Sequence, residues 1–219
     1  MSLFLYGSEM WNSPYVLSCF VALREKGLPF EMRLVGLDRG AHHEQAFVDV
    51  SLTSRVPALV DGELSLSESS AIVEYLEDKF PAPGHPRVLP AGLSERARAR
   101  QVMAWVRSDA GVLREERSSE YVFFPHHGLK ALAPLSQSGR RAAEKVVRVA
   151  SRLIPDRGGP LFGAWCVADT DLAMMLWRLS RTGYELPPKV RGFADAEWNR
   201  PTVREFAEMP RPALYAPSL

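Results

Sequence analysis

Leu3-Phe4-Leu5-Tyr6, then Gly7 through Asn12, then Ser13-Pro14-Tyr15-Val16-Leu17-Ser18-Cys19-Phe20, is the stretch whose reading decides the fold. The first segment is short and apolar, as a buried strand is. The second is polar and carries no periodicity, so it is a loop. From Ser13 the apolar residues Val16, Leu17, Phe20 and Leu23 recur at helical spacing. Gly27 followed by Leu28-Pro29 ends that helix. The chain therefore opens as strand, loop, helix, with a hydroxyl side chain at the helix start.

Working outward, Phe30, Met32 and Leu34 alternate with Glu31, Arg33 and Val35, the pattern of a half-buried strand. A polar stretch over His42–Asp49 predicts a weak helix. Ala58–Val60, the Asp61-Gly62 turn and Glu63–Leu66 predict a hairpin. Ser67 is placed to cap a helix whose apolar face is Ala71, Ile72, Tyr75 and Leu76. Pro81, Pro83, Pro86 and Pro90 then crowd together with Gly84, a segment that can neither continue a helix nor join a sheet. Beyond it the pattern is helical: Ser94 toward Arg117, Ser138–Leu153, Val167–Arg181, and shorter pieces after Pro187. The expected organisation is an α/β domain over residues 1–80, a linker over 81–93 and an all-helical domain over 94–219.

Composition bounds the function. The 219 residues are 46% hydrophobic and 24% charged, an ordinary globular balance. Net charge is +1, which gives no electrostatic footprint for nucleic acid or an anionic membrane. The start is too short in apolar residues for a signal-peptide core, and no apolar run is long enough to span a bilayer. Cys19 and Cys166 both sit inside apolar helical patterns, so two buried thiols in a reducing cytoplasm are expected rather than a disulfide.

Three segments carry chemistry. Ser13-Pro14-Tyr15-Val16 stands where the glutaredoxin branch of the thioredoxin fold carries Cys-Pro-Tyr-Cys. With both cysteines replaced, disulfide exchange lacks its nucleophile. What remains is a hydroxyl at a helix N-terminus, where the dipole favours an anion such as a bound thiolate. The plainer reading is that Ser13 only caps the helix. The second segment is Arg55-Val56-Pro57 at the start of the hairpin. A cis Val56–Pro57 bond there presents the Val56 main chain to an extended peptide. The third is Glu68-Ser69, where N–H groups and the Ser69 hydroxyl suit a carboxylate and Glu68 suits an ammonium. Its plainer reading is a capping sequence.

In this order, on this alternation of elements, the segments resemble the glutathione transferase family across essentially all 219 residues. The resemblance implies a thioredoxin-like N-terminal domain, an all-helical C-terminal domain, glutathione as co-substrate and a homodimer. It implies that Ser13 is the catalytic hydroxyl, as in the serine-type zeta, tau and theta-like classes. It places Val56 and Pro57 on the cysteinyl backbone, and Glu68 and Ser69 on the γ-glutamyl end. His42, or His43 if one residue is inserted, and Arg55 fall where glycine-carboxylate contacts are made. The chemistry implied is activation of the glutathione thiol for attack on an electrophile. The wording of Arg107–Arg117 and Cys166–Met175 looks like a bacterial branch associated with glutathione-dependent peroxide reduction.

In the helical half, Gly163–Asp169 resembles the family's helix-start motif, with Asp169 in place and Cys166 where a capping Ser or Thr belongs. This motif serves folding. Arg107 and Arg114 read as one face of a long helix, with Ala110 and Gly111 between them. Together with Trp11 and Tyr15 they are candidates for a second-substrate pocket. Pairing of the arginines with Asp109, Glu115 or Glu116 is the plainer alternative. Phe123 and Phe124 are either pocket walls or core. No metal is expected: His42-His43 and His126-His127 are adjacent pairs without other ligands at suitable spacing. Three rivals stay open: a non-catalytic scaffold of the same fold, a zeta-like isomerase, and a glutaredoxin-like oxidoreductase disfavoured by the absent cysteine.

Overall fold

Strand β1 (Leu3–Ser8) lies inside a four-stranded sheet and organises the first of two units. The computed structural model describes residues 2–124 and 131–212. One unit comprises the chain up to Leu89 together with Pro201–Pro212, and the other comprises Pro90–Arg200. The sheet order is β2-β1-β3-β4, with β2 (Phe30–Val35), β3 (Ala58–Asp61) and β4 (Leu64–Ser67). Strand β1 runs parallel to β2 and antiparallel to β3, and β3 is antiparallel to β4. This is the thioredoxin-like arrangement that the sequence predicts.

Helix α1 (Pro14–Glu25) is buried from Val16 to Leu23 without interruption. A helix apolar all round needs neighbours on every side. They are β1, α3 (Ser69–Lys79) and α10 (Pro201–Ala207). Its close approach to the sheet depends on Gly7: a Cβ there would lie 2.8 Å from Val16 Cγ1 and 2.9 Å from Met32 Cε. Between β2 and β3 the expected weak helix resolves into 3₁₀ turns at Leu37–Arg39 and Ala41–His43 and a short α2 (Gln45–Val48). In β2, Glu31 and Arg33 face solvent as expected, but Leu34 is 52% exposed and Val35 is the buried residue at the exit.

The hairpin forms with Gly62 at φ 63 in a two-residue turn closed by Asp61 and Leu64. The buried Asp61 carboxylate accepts from Tyr75 Oη at 2.8 Å and from Lys79 Nζ. Burial raises its pKa, but the two hydrogen bonds outweigh that and hold it below the ordinary carboxylate value.

The proline-rich segment lacks regular structure, as its composition predicts, yet it is not a loose tether. Lys26 is buried, and its Nζ donates to Phe80 O at 2.9 Å and Pro86 O at 3.1 Å while pairing with Glu77 Oε2 at 2.9 Å. Glu77 also accepts from the Val88 N–H at 3.0 Å. These side chains satisfy main-chain groups that proline cannot pair, and Val88 and Leu89 are buried as a result.

In the second unit, α8 (Val167–Ser180) is buried from Val167 to Leu179. Packed on it are α4 (Leu93–Ser108), α6 (Glu120–Phe123), α7 (Gln137–Leu153) and α9 (Pro188–Trp198). The long helix expected from Ser94 to Arg117 is two helices. Its N-cap is Gly92, and it ends at Ser108 before α5 (Gly111–Glu116) begins. Ala110 leaves helical geometry at ψ 27, and Gly111 is a poor helix former. Helix α7 starts one residue earlier than expected because Ser136 Oγ accepts from the Gly139 N–H at 2.9 Å.

The expected helical domain ran to residue 219, but α10 belongs with the first unit. Val203 and Phe206 are fully buried there, and Phe206 meets Phe20 of α1 edge-on at 5.4 Å. Polar contacts reinforce the packing: Arg24 pairs with Glu205 at 2.7 Å, and Thr202 Oγ1 donates to Glu25 at 2.7 Å.

Candidate functional site

Strand register brings the predicted segments to one end of the sheet. Tyr6 of β1 stands opposite Ala58 of β3, and Ala58 opposite Ser67 of β4. Ser8 stands beside Val35 of β2. The exits of β1, β2 and β4 and the start of β3 therefore share one edge. Those exits lead to Ser13, to His42 and to Glu68-Ser69, and Val56-Pro57 leads into β3. Adjacent strands lie about 4.8 Å apart, so β1 and β4 are separated by roughly 10 Å, the length of a three-residue extended peptide.

Ser13 is the N-cap of α1, at φ −80 and ψ 117, and its Oγ accepts from the Val16 N–H at 3.3 Å. Pro14 follows at the first helical turn, where a missing N–H costs nothing. A hydroxyl that accepts a hydrogen bond still has its proton to donate, and the accepted bond polarises it. Capping and donation are thus compatible on one oxygen.

The loop before Ser13 is built from several contacts. Met10 N–H donates to Ser8 Oγ at 3.2 Å, and Trp11 N–H to Ser8 O at 3.0 Å. Glu9 makes a two-point pair with Arg39 at 2.7 and 2.8 Å. Trp11 adopts φ 47, an uncommon conformation for a bulky residue. Its ring is 4% exposed and packs edge-on against Phe20 at 6.1 Å and Phe206 at 5.3 Å. Trp11 is therefore a core residue, which corrects its reading as a pocket wall. Tyr15 is half-buried in the first turn of α1.

The Val56–Pro57 bond is cis, with Pro57 buried, Val56 half-buried and Arg55 exposed. The preceding turn is tied by Ser51, whose buried hydroxyl donates to Arg55 O at 2.8 Å and accepts from Arg55 N–H at 3.1 Å. Ser54 within it has φ 52. Helix α3 does not start on a Ser67 cap. Ser67 is buried at the end of β4, and the N-cap is Glu68 at φ 74, with an exposed side chain that makes no capping bond. Ser69 is buried at the first helical position, and its carbonyl accepts from Cys19 Sγ at 3.7 Å, linking α3 to α1. His42 is half-buried with its Nδ1 shielded and unpartnered, its ring stacked on His43 at 3.9 Å.

The arginines of the second unit have internal partners. Arg107 Nη1 donates to Asp171 Oδ2 at 2.5 Å and to Met103 O at 2.9 Å, joining α4 to α8. Asp109 engages Trp105 and Lys145, and Glu116 engages Ser136. Arg114 Nη1 donates at 2.8 Å to Val106 O, a carbonyl near the break between α4 and α5. The two arginines thus sit on different helices rather than one face. Phe123 and Phe124 are buried, the former 6.4 Å from Trp198. His126 and His127 lie outside the described residues.

Asp169 is fully buried at the start of α8. Its Oδ1 accepts from Leu161 N–H at 2.7 Å and its Oδ2 from Cys166 N–H at 2.9 Å. The Cys166 thiol lies 3.3 Å from the same carboxylate, donating to it. Burial, then the charge of Asp169, pushes that thiol above its ordinary range, so it is no nucleophile. Burial also raises Asp169. Nearby, Glu197 of α9 accepts from Trp165 Nε1 and Thr170 Oγ1, each at 3.1 Å. Burial, then Asp169, pushes Glu197 up to about 7.

Sequence reasoning missed Ser51, the Glu9–Arg39 pair and the Lys26–Glu77 pair. Only the first had a local signal, a serine four residues before Arg55 in a turn-rich stretch. The others join residues far apart in the chain.

Comparison with known proteins identifies both halves of the chain. Residues 5–84 match the model of the glutathione S-transferase N-terminal domain, and residues 92–211 that of the C-terminal domain. A probable maleylacetoacetate isomerase of Vibrio cholerae is 35% identical over 124 residues, covering 56% of this chain and 55% of that protein. Human glutathione S-transferase theta-1 is 38% identical over 86 residues, 39% of this chain and 35% of that one. The matches thus span about half, or a third, of these relatives' lengths. A crystal structure of a glutathione transferase homologue from Burkholderia gl BGR1, with bound glutathione, is 39% identical. It covers 95% of this chain and 97% of that one, with a TM-score of 0.77.

Proposed function

The chain belongs to the glutathione S-transferase family, and we propose that it activates glutathione as a thiolate on Ser13 and delivers it to an electrophile or a peroxide. The observation that carries this is the double role open to Ser13: its Oγ accepts from Val16 N–H and keeps its proton to donate.

The magnitudes suffice. A free thiol has a pKa near 8.5, so about 3% is thiolate at pH 7. Lowering it to about 6.5 requires roughly 2.7 kcal/mol of differential stabilisation. One hydrogen bond to a charged group contributes about 1.5–3 kcal/mol, and a helix N-terminus about 0.3–1 kcal/mol. Ser13 donates and does not act as a base, because a serine hydroxyl is far too weak an acid.

In this reading the cis Val56–Pro57 peptide meets the cysteinyl backbone, Glu68 and Ser69 take the γ-glutamyl end, and His42 and Arg55 take the glycine carboxylate. Toward a peroxide, the thiolate sulfur attacks the terminal oxygen, the O–O bond breaks to give a sulfenic acid, and the departing alkoxide takes from water the proton that the thiol had released, leaving as an alcohol. A second glutathione then converts the sulfenic acid to disulfide and water.

The near-UV absorbance of bound glutathione thiolate across pH tests this. Ser13→Ala is expected to bind glutathione with similar affinity, to shift the titration up by more than one pH unit, and to lose most turnover. An unshifted titration would refute the assignment. The identity to a probable isomerase supports a second reading, glutathione-dependent cis–trans isomerisation. Rates with a halogenated nitroaromatic, an organic hydroperoxide and a maleyl keto acid separate the three activities.

We further propose a cytoplasmic homodimer. Leu52, 94% exposed, and Leu64 and Val48, 39% and 38% exposed, give the first unit apolar surface that a second copy would cover. Leu52→Glu is expected to shift sedimentation toward monomer.

A further inference from the structure

We propose that Arg211 is a positioning residue for Ser13, holding the main chain two residues upstream in the conformation that aims the hydroxyl. The inference rests on the reading of Ser13 given above.

Among the described residues, the guanidinium reaches at least four carbonyls. Its Nη1 donates to Ala207 O at 2.7 Å and Met209 O at 2.8 Å. Its Nη2 donates to Phe206 O at 3.0 Å and to Trp11 O at 3.1 Å. Phe206 and Ala207 are the last residues of α10, where orphan carbonyls and the dipole favour a cation. The fourth contact leaves the helix and crosses 200 residues of sequence to the loop that carries Ser13. A planar fork suits such a junction; a single ammonium does not reproduce it.

The receiving residue is the one that needs holding. Trp11 stands at φ 47, a conformation that bulky side chains keep only when their surroundings impose it. Its N–H is bound to Ser8 O at 3.0 Å, its ring is packed on Phe20 and Phe206, and its carbonyl is bound to Arg211. Helix α10 thus contacts Trp11 twice, through Phe206 on the ring and through Arg211 on the main chain. The Trp11 carbonyl belongs to the Trp11–Asn12 peptide, and Asn12 leads directly into Ser13. Freeing that carbonyl lets the peptide plane rotate and carries the error into the Ser13 N-cap.

The test uses the full chain with Arg211→Gln and Arg211→Lys, beside Ser13→Ala. Bound glutathione thiolate is titrated by near-UV absorbance, and kcat and KM for glutathione are measured with a halogenated nitroaromatic. Positioning predicts that Arg211→Gln raises the thiolate midpoint by about one pH unit. It also predicts a kcat lowered by roughly tenfold, the scale of a slightly misplaced reacting group, with KM little changed. Arg211→Lys should fall between this variant and the native protein. If Arg211→Gln does not fold, the Lys variant decides, since the charge at the helix end is kept and only the fork is lost. A native midpoint in whichever Arg211 variant folds, alongside a shifted midpoint in Ser13→Ala, overturns the proposal and leaves Ser13 standing. A native midpoint in Ser13→Ala overturns both.

Discussion

Glu197 is expected to make the protein less stable as pH rises through neutrality. The residue is 6% exposed, beside the buried Asp169, and burial, then the charge of Asp169, pushes its carboxyl up to about 7 from an ordinary 4.5. A folded-state pKa above the unfolded one means that the native protein binds the proton more tightly. The stability this confers is fully present below about pH 4.5 and is lost as pH climbs through about 7. At about 1.4 kcal/mol per pH unit of difference, the low-pH advantage is roughly 3 kcal/mol, most of it lost between pH 5 and pH 8. In Glu197→Gln the side-chain oxygen still accepts from Trp165 and Thr170, but nothing titrates. Urea unfolding at half-unit steps from pH 5 to pH 8 is the assay. The native midpoint should fall by roughly 1 M relative to the variant over that range. All other groups are common to both proteins, so the difference between the two curves reports Glu197 together with its coupling to Asp169. Parallel curves would refute the reasoning, because they would mean that the carboxylate is already ionised at pH 5 or pays no penalty for charging.

Three further outcomes follow from the packing. Cys166→Ser should raise stability by about 1 kcal/mol by restoring a good hydroxyl cap at the start of α8, read as an increased denaturant midpoint. Gly7→Ala should destabilise by about 1–3 kcal/mol, because the added methyl meets stiff Val16 at 2.8 Å; native stability would show that α1 slides freely. Lys26→Met should cost about 3–5 kcal/mol in thermal unfolding, because Phe80 O and Pro86 O lose their donor and buried Glu77 keeps only Arg87 as a cation; adding Glu77→Leu should not restore stability, because the Val88 N–H then loses its acceptor as well.

What was legible in the sequence was what local chemistry determines. Ser13-Pro14 marks a helix start, the Asp61-Gly62 pair marks a hairpin, and Cys166 and Asp169 mark another helix start, all within a few residues. What was illegible was set by partners distant in sequence. Glu68 carries no sign that it will stand at φ 74 between β4 and α3; a left-handed residue is expected to be glycine. Ser67 looked like a cap because caps are common, but its place opposite Ala58 buries it in the sheet. The break between α4 and α5 has a weak local signal in Gly111, which helical periodicity on both sides concealed.

Trp11 shows how an assignment can be right about place and wrong about role. An aromatic residue two positions before the proposed catalytic hydroxyl suggests a wall of the substrate pocket. Its ring instead turns inward, because α10 returns to pack on α1 and brings Phe206 against it. Had α10 stayed with the other helices, as the run of helical sequence implied, Trp11 would have lacked that cover. The same return brings Arg211 to the Trp11 carbonyl. The residues proposed to bind and react are thus encoded near β1, β3 and α3, while groups from elsewhere tie the segments that carry them: Ser51 the Val56–Pro57 turn, Arg39 Glu9, and α10 the Trp11 main chain. Variation at those supporting positions should therefore change turnover before it changes glutathione affinity, because binding is shared among several segments whereas thiolate activation hangs on one hydroxyl.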